Sequence, residues 1–476
     1  MSAIRSLPRS QPERQGIASS SITSFLKEVQ DRSLELHSFM LLRHGHVVSE
    51  GWWTPYLPER PHMLFSLTKS FTSTAIGLLV GEGRVSLDDR IVSFFPEDLP
   101  LEVTPNLAAM TIRHLLMMGT GHAQDTSGKM QSTDNWVNNF LNIPVEHEPG
   151  THFVYNSGAT YMLSAILQKV TGQTLLDYLQ TRLLEPMDIQ GATSESCPRG
   201  IHIGGWGMKI KTEDIAKFGQ LYLQKGQWDG KQLIPEIWVE EATTKQISND
   251  SSTNNDWAQG YGYQFWRCRH GAYRGDGAFG QFCIVLPEQD AVIAITSGVN
   301  NMQDVLDVVW EHLLPAMKSE ELTVDTEASE SLTHVLHGLS LEPPRFLSSS
   351  ALETSISGIE FELEENEEQI QTFSIDFTED SANVTVQTNA GKHTIYFGRN
   401  EWLEGTYTLH MRQKNVAFGS ATWQDSNMLL LTLRYVEAPF CVTVVCTFND
   451  GSLQLQFRQN VRFGNEEHKW IQGKVR

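Results

Sequence analysis

Several things are scarce in this chain, and each shortage narrows what it does. No run of about eighteen apolar residues occurs, so no membrane-spanning helix is expected. Basic residues are outnumbered, with 36 Lys and Arg against 57 Asp and Glu, a formal net charge of −21. A surface of that sign repels phosphate backbones and anionic headgroups, which disfavours nucleic-acid and membrane partners. Cysteines number only five in 476 residues: Cys197, Cys268, Cys283, Cys441 and Cys446. The number is odd and the spacing is not metal-like. Cys441 and Cys446 lie five apart in one apolar strand, on opposite faces. Reduced thiols in a cytoplasmic protein are the expectation. The opening MSAIRSLPRSQPERQGIASSS has no apolar stretch and no small-residue cleavage site, so no secretory signal is expected.

Cofactor signatures are missing too. None of the sixteen histidines falls in H-E-x-x-H, and no Gly-rich loop ends in G-K-[ST]. His334-x-x-His337 lies in an acidic stretch, and His44-Gly45-His46 reads as a hairpin turn rather than a ligand pair. Neither a metal nor a cofactor is expected.

What is present is an ordinary globular composition, 40% hydrophobic and 20% charged, in a chain too long for one core. Ile22, Phe25, Leu26 and Val29 recur at helical spacing over Ser20 to Gln30. Two β-rich runs follow within 38–52. Residues 66–80, 158–171, 174–184 and 303–317 read as helices, as does a segment opened by Thr212 as N-cap. Residues 281–286 and 291–297 read as a hairpin. Strands at both ends of this region with helices between them imply an α+β domain over 1–318 whose ends share one sheet. Residues 319–355 are rich in Glu, Pro and Ser and read as a linker. Beyond it, period-two runs such as Phe373, Ile375 and Phe377 predict an antiparallel β domain, a sandwich or small barrel, over 356–476.

The chemical signal is Ser66-Leu67-Thr68-Lys69, an S-x-x-K at the start of a helix. Spacing i, i+3 puts both side chains on one face. A serine hydroxyl is a weak nucleophile until a base takes its proton, and lysine serves only where burial lowers its pKa. The apolar run Phe71 to Val80 supplies that burial, and the helix N-terminus offers an oxyanion donor. The motif alone is weak. About one copy is expected by chance in a chain of this length, and a decoy stands at Ser24-Phe25-Leu26-Lys27, on an amphipathic surface helix.

The neighbourhood separates the two. The run FSLTKSFTSTAIGLLVGEGRVSLDDRI, the later FFPE, and the blocks TIRHLLMMGTGH, FVYNSGATYMLSAILQKVTG and GAFGQFCIVLPEQDAVIAITSG resemble the serine β-lactamase-related family. That family includes class C β-lactamases, penicillin-binding proteins, esterases and nylon-oligomer hydrolases. The resemblance covers about two-thirds of the chain. It implies a β-lactamase/transpeptidase-like fold, an antiparallel sheet flanked by helices, with a helical subdomain. It also implies an acyl-enzyme on Ser66, activated by Lys69, with Tyr155 of the Y-x-N motif carrying protons.

Two departures stand out. Ser157 occupies the asparagine position of Y-x-N. In the third motif, usually K-T-G or H-x-G, the stretch reads Arg274-Gly275-Asp276-Gly277-Ala278. Asp276 replaces the expected hydroxyl, and either Gly277 or Ala278 donates the second oxyanion N–H. Loss of the motif's cation argues against a resistance enzyme or a cell-wall peptidase, and for an esterase or amidase acting on a small molecule. A D-amino-acid peptidase or weak β-lactamase is the alternative within the same chemistry. A non-catalytic binding protein on the same scaffold is the alternative outside it, and the intact Ser66, Lys69 and Tyr155 count against it.

Overall fold

The computed structural model describes residues 6–249, 255–407, 415–464 and 469–476. Packing divides them into two units. The first holds residues up to Gly51, Pro61–Ser297 and Asn301–Gly338; the second holds Trp52–Arg60, Gly298–Asn300 and the chain from Leu339 onward.

The first unit is built on a six-stranded sheet. Its strand order is His46–Trp52, Leu36–Arg43, Ala291–Ser297, Gln281–Leu286, Tyr273–Gly277 and Trp266–Arg267. The sheet's first strand in sequence, Leu36–Arg43, thus pairs with its last, Ala291–Ser297, as the α+β reading requires. Leu36–Arg43, Gln281–Leu286 and Ala291–Ser297 are buried along their whole length, because helices cover both faces. Neighbouring residues show the two sides. Phe39 meets Phe25 of helix Ser19–Asp31 with ring centroids 4.9 Å apart. Ser38, pointing the other way, hydrogen-bonds Thr212 of helix Thr212–Leu223 at 2.7 Å and Thr296 of the adjacent strand at 2.6 Å.

Two local expectations change. Thr212 is the first residue of its helix and not its cap; Lys211, which has no side-chain acceptor, holds the N-cap position, and the Thr212 hydroxyl is engaged by Ser38. Segment 319–355 is more ordered than its composition suggests. Asp325 caps helix Thr326–His337 by accepting from Ala328 N at 3.0 Å, and this helix packs on Ser19–Asp31. Only Leu332 of it is buried, so a solvated face dominates its sequence.

The second unit is a closed β-barrel. Ten strands among the described residues run in the order Gly391–Arg399, Ser381–Thr388, Ile370–Phe377, Glu360–Leu363, Trp470–Val475, Ser452–Gln459, Cys441–Asn449, Met428–Tyr435, Asn415–Trp423 and Leu403–Tyr407. A parallel pairing of Gly398 with Ser420 and Arg399 with Ala421 closes the ring. Closure removes the exposed edges that an open sheet must protect. The interior is apolar, lined by Phe373, Val384, Val386, Phe397, Leu431 and Leu433 among others, around a cavity of about 40 Å³.

Candidate active site

Ser66 lies on the tight turn Phe65–Leu67, which runs directly into helix Thr68–Gly81. Such a helix start leaves N–H groups free. The backbone here is strained. Phe65, just before Ser66, has φ +47°, and Phe279, just after Ala278, has φ +65°. The two rings meet edge to face at 5.4 Å. An aromatic residue in the left-handed region costs about 1–3 kcal/mol and persists only where its surroundings fix it. Here the two strained residues flank the two segments expected to supply oxyanion donors.

Lys69 follows one turn after Ser66 and is only 1% exposed. Its amine donates to Ser66 Oγ at 3.0 Å, to Ser157 Oγ at 3.1 Å and to the Gly205 carbonyl at 2.6 Å. Burial lowers its pKa from the ordinary 10.5 to about 7, against the opposing pull of Asp125 and Asp276. An amine so placed is a base near neutral pH, one hydrogen bond from a serine hydroxyl.

The helix around Lys69 is unusual. Thr68, Ser70, Thr72, Ser73 and Thr74 are all buried. Ser70 Oγ donates to the Gln264 carbonyl at 2.9 Å, Thr72 Oγ1 to the Gly204 carbonyl at 2.8 Å, and Ser73 Oγ to the Tyr263 carbonyl at 2.6 Å. Thr68 Oγ1 accepts from Met208 N at 3.2 Å. The hydroxyls of one helix therefore hold the two loops that border the site, 204–208 and 263–264. Buried polar groups so paired fix a geometry rather than add net stability.

Tyr155 lies against Ser66, and its ring face is 5.0 Å from Lys69 Nζ. Burial, then the nearby Asp276 and Asp125 carboxylates, push its phenol well above the usual range, so it is protonated at neutral pH. Ser157 opens helix Ser157–Thr171, whose N-cap Asn156 accepts from Gly158 N at 3.0 Å. Ser157 N donates to Asp125 Oδ1 at 2.9 Å, which brings an exposed carboxylate to the same cluster.

Strand Tyr273–Gly277 runs alongside the nucleophile turn. A Cβ on Gly277 would sit 2.0 Å from the Leu64 carbonyl oxygen, and one on Gly275 would sit 2.6 Å from Ser70 Oγ. Close backbone approach thus dictates glycine at both places. On strand Tyr273–Gly277 the short strand Trp266–Arg267 reaches Tyr273 and Arg274, so among the described residues the outer edge from Gly275 to Gly277 is left without a strand neighbour. Asp276 lies on strand Tyr273–Gly277. It is 7% exposed, and Arg274 Nε donates to it at 2.9 Å. Burial pushes its carboxyl up, and Arg274 pulls the other way. Arg274, fully buried, is further engaged by the Asp256 carbonyl at 2.8 Å and by Cys268 Sγ at 3.0 Å.

The structure thus brings Ser66, Lys69, Tyr155 and Ser157 together, with Asp276 and Gly277 beside them. Sequence reasoning missed Asp125, the Gly205 carbonyl and Trp266. The glycine-rich run Gly204-Gly205-Trp206-Gly207 was the available signal for the second. The decoy behaves as a surface helix: Lys27 ion-pairs with exposed Asp31. His44 and His46 turn to Gln15 and to the His44 carbonyl. The metal-type cluster found among the described residues is Glu28, Glu311 and His312, already bridged by Arg32 at 2.6 and 2.5 Å. No helix among the described residues is long and apolar enough to cross a membrane.

The site thus holds a buried lysine bonded to a serine at a helix start, with a protonated tyrosine across from both. The chain belongs to the β-lactamase family, whose model matches residues 26–313. It is similar to the 6-aminohexanoate-dimer hydrolase of Paenarthrobacter ureafaciens, 24% identical over 278 residues, covering 54% of this chain and 71% of that protein. Among solved structures, it is similar to a penicillin-binding protein homologue from Caulobacter crescentus (TM-score 0.52, 16% identity, 66% of this chain and all of that one). It is also similar to the octameric penicillin-binding protein homologue from Pyrococcus abyssi (TM-score 0.51, 16% identity, 95% of this chain and 99% of that one).

Proposed function

We propose that this protein hydrolyses small amides or esters through an acyl-enzyme on Ser66. The observation that carries the reading is the environment of Lys69: buried, near pKa 7, and 3.0 Å from the Ser66 hydroxyl. Ser66 Oγ attacks the carbonyl carbon and its proton passes to neutral Lys69. The resulting oxyanion is held by the N–H of Ser66 and that of Gly277 or Ala278. As the C–N or C–O bond breaks, the Tyr155 hydroxyl protonates the leaving group and is refilled from Lys69. A water then attacks the acyl ester, its proton goes to Lys69, and Ser66 leaves with a proton restored. Because the Tyr155 phenol is held protonated, lysine is the base and tyrosine the carrier.

The charges near the site support neutral or amine-bearing substrates. Arg274 is buried and engaged by Asp276, so it presents no cation for a substrate carboxylate, while Asp125 contributes an exposed negative charge. A dimer of 6-aminohexanoate, the substrate in the relative's name, is an amide with a free amine at one end and a carboxylate at the other, and only its amine end suits these charges. Turnover of p-nitrophenyl butyrate, amino-terminated amides and nitrocefin by wild type and Ser66→Ala tests the proposal. Wild type should cleave the first two and be poor on nitrocefin, and Ser66→Ala should cleave none. Turnover undiminished in Ser66→Ala would refute it.

A further inference from the structure

Tyr155 does not stand alone on its loop. Its ring is stacked on Trp266, with centroids 5.3 Å apart and planes 20° apart. Trp266 pairs by its backbone with Arg274, whose guanidinium carbon lies 5.8 Å over its ring and 4.4 Å over that of Trp257. Arg274 is in turn held by the Asp276 carboxylate at 2.9 Å. Tyr261 closes the arrangement, its ring edge-on to Trp266 at 4.8 Å and at right angles to Tyr155 at 6.2 Å. The Tyr155 ring also faces Lys69, whose Nζ is 5.0 Å away. The altered third motif is thus tied to the side of the site that holds the tyrosine.

The geometry points to Trp266 and Asp276 as positioning residues for Tyr155: Asp276 fixes the Arg274 guanidinium, Arg274 packs over the Trp266 ring, and the indole face sets the tyrosine ring against Ser66. The inference rests on the acyl-enzyme reading above. It gives the Arg-x-Asp sequence a role that needs no substrate contact. Stacked rings prefer an offset face and resist rotation, so a ring held on Trp266 keeps its hydroxyl at one place. A displacement of about 1 Å at such a group is worth up to about a hundredfold in rate.

Asp276 has a second effect, on charge. It and Asp125 are the carboxylates acting on Lys69 and Tyr155, and Arg274 is the cation acting on Tyr155 besides Lys69 itself. Removing the Asp276 charge with Asp276→Asn should let the Lys69 pKa fall further, since Asp276 favours the ammonium. The acid limb of kcat/KM would then move to lower pH.

The test is a double-mutant cycle on p-nitrophenyl butyrate hydrolysis, with kcat, KM, pH profile and thermal midpoint read for each variant. Trp266→Ala should lower kcat about tenfold or more with KM within about twofold, and Trp266→Phe, which keeps an aromatic face, should recover much of the loss. In a Tyr155→Phe background, Trp266→Ala should cost almost nothing further, because its effect runs through the tyrosine hydroxyl. An equal cost in both backgrounds, or an acid limb unmoved in Asp276→Asn, would overturn the inference and leave the acyl-enzyme reading intact. If Tyr155→Phe itself costs nothing, the reading beneath it fails instead. Trp266→Phe keeps the test alive if the alanine variant does not fold.

Discussion

The nucleophile helix and the β-barrel bury their residues by opposite rules. Along Thr68–Gly81, polar residues are buried beside apolar ones, and each hydroxyl from Thr68 to Thr74 has a named partner in a neighbouring loop or helix. In the barrel, strand Ser381–Thr388 alternates half-exposed and buried residues without a break, and the buried ones are Ala382, Val384, Val386 and Thr388. The barrel interior is held by apolar contact, which is non-directional and proportional to area. The helix interior is held by directional bonds, whose net worth in stability is small and whose worth in geometry is large. The first region should therefore lose function when a group is removed, and the second should lose stability.

The largest expected effect lies in the helix. Lys69→Met should lower kcat for p-nitrophenyl butyrate by about 10²–10⁴-fold, the range of positioned proton transfer. A variant with near wild-type turnover would erase the distinction between the two regions. The same substitution should remove a stability signature. Between about pH 7 and 10 the unfolded chain still carries the lysine proton that the folded chain has shed, so wild-type stability rises with pH across that window. Thermal midpoints of Lys69→Met from pH 7 to 10 should lack that rise.

In the barrel, Phe373→Ala removes a side chain lining the cavity. It should destabilise the second unit by about 3–5 kcal/mol, seen as a lowered denaturant midpoint. A cost under about 1 kcal/mol would mean that the interior is not close-packed.

Intermediate effects sharpen the contrast. The acid limb of kcat/KM in wild type should lie at about pH 7, set by Lys69, with no basic limb from Tyr155 in the neutral range. Thr72→Val should strip the Gly204 carbonyl of its donor, costing about 1–3 kcal/mol, and should also lower kcat, because Gly205 bonds Lys69. Loss of stability with kcat untouched would make that hydroxyl purely structural. Smallest of all, Ser24→Ala in the decoy should change turnover not at all, since its hydroxyl bonds only the Ser20 carbonyl of its own helix.

The same contrast explains what could be read from sequence. The barrel strands show in period two, and the hairpin 281–286 with 291–297 shows in continuous apolar runs, because area burial leaves a pattern. Ser66, Lys69 and Tyr155 were legible as spaced motifs. Asp125, Gly205 and Trp266 were not, because they join the cluster through a loop carboxylate, a backbone carbonyl and a ring face, none of which has a period. Arg274 and Asp276 were a missed opportunity. Two apart on a strand, they share a face, and their pairing follows from that alone. Helix Thr326–His337 was hidden by its own solvated side, which leaves only Leu332 fully buried.

The central claim is that Ser66 is the nucleophile and Lys69 its base. Reaction of the intact protein with a fluorophosphonate, followed by peptide mass analysis, tests it most directly. The account predicts one adduct, on Ser66, formed at a rate that climbs through about pH 7 and is lost in Lys69→Met. An adduct on any other serine, or labelling of Ser66 that ignores both pH and Lys69, would contradict it.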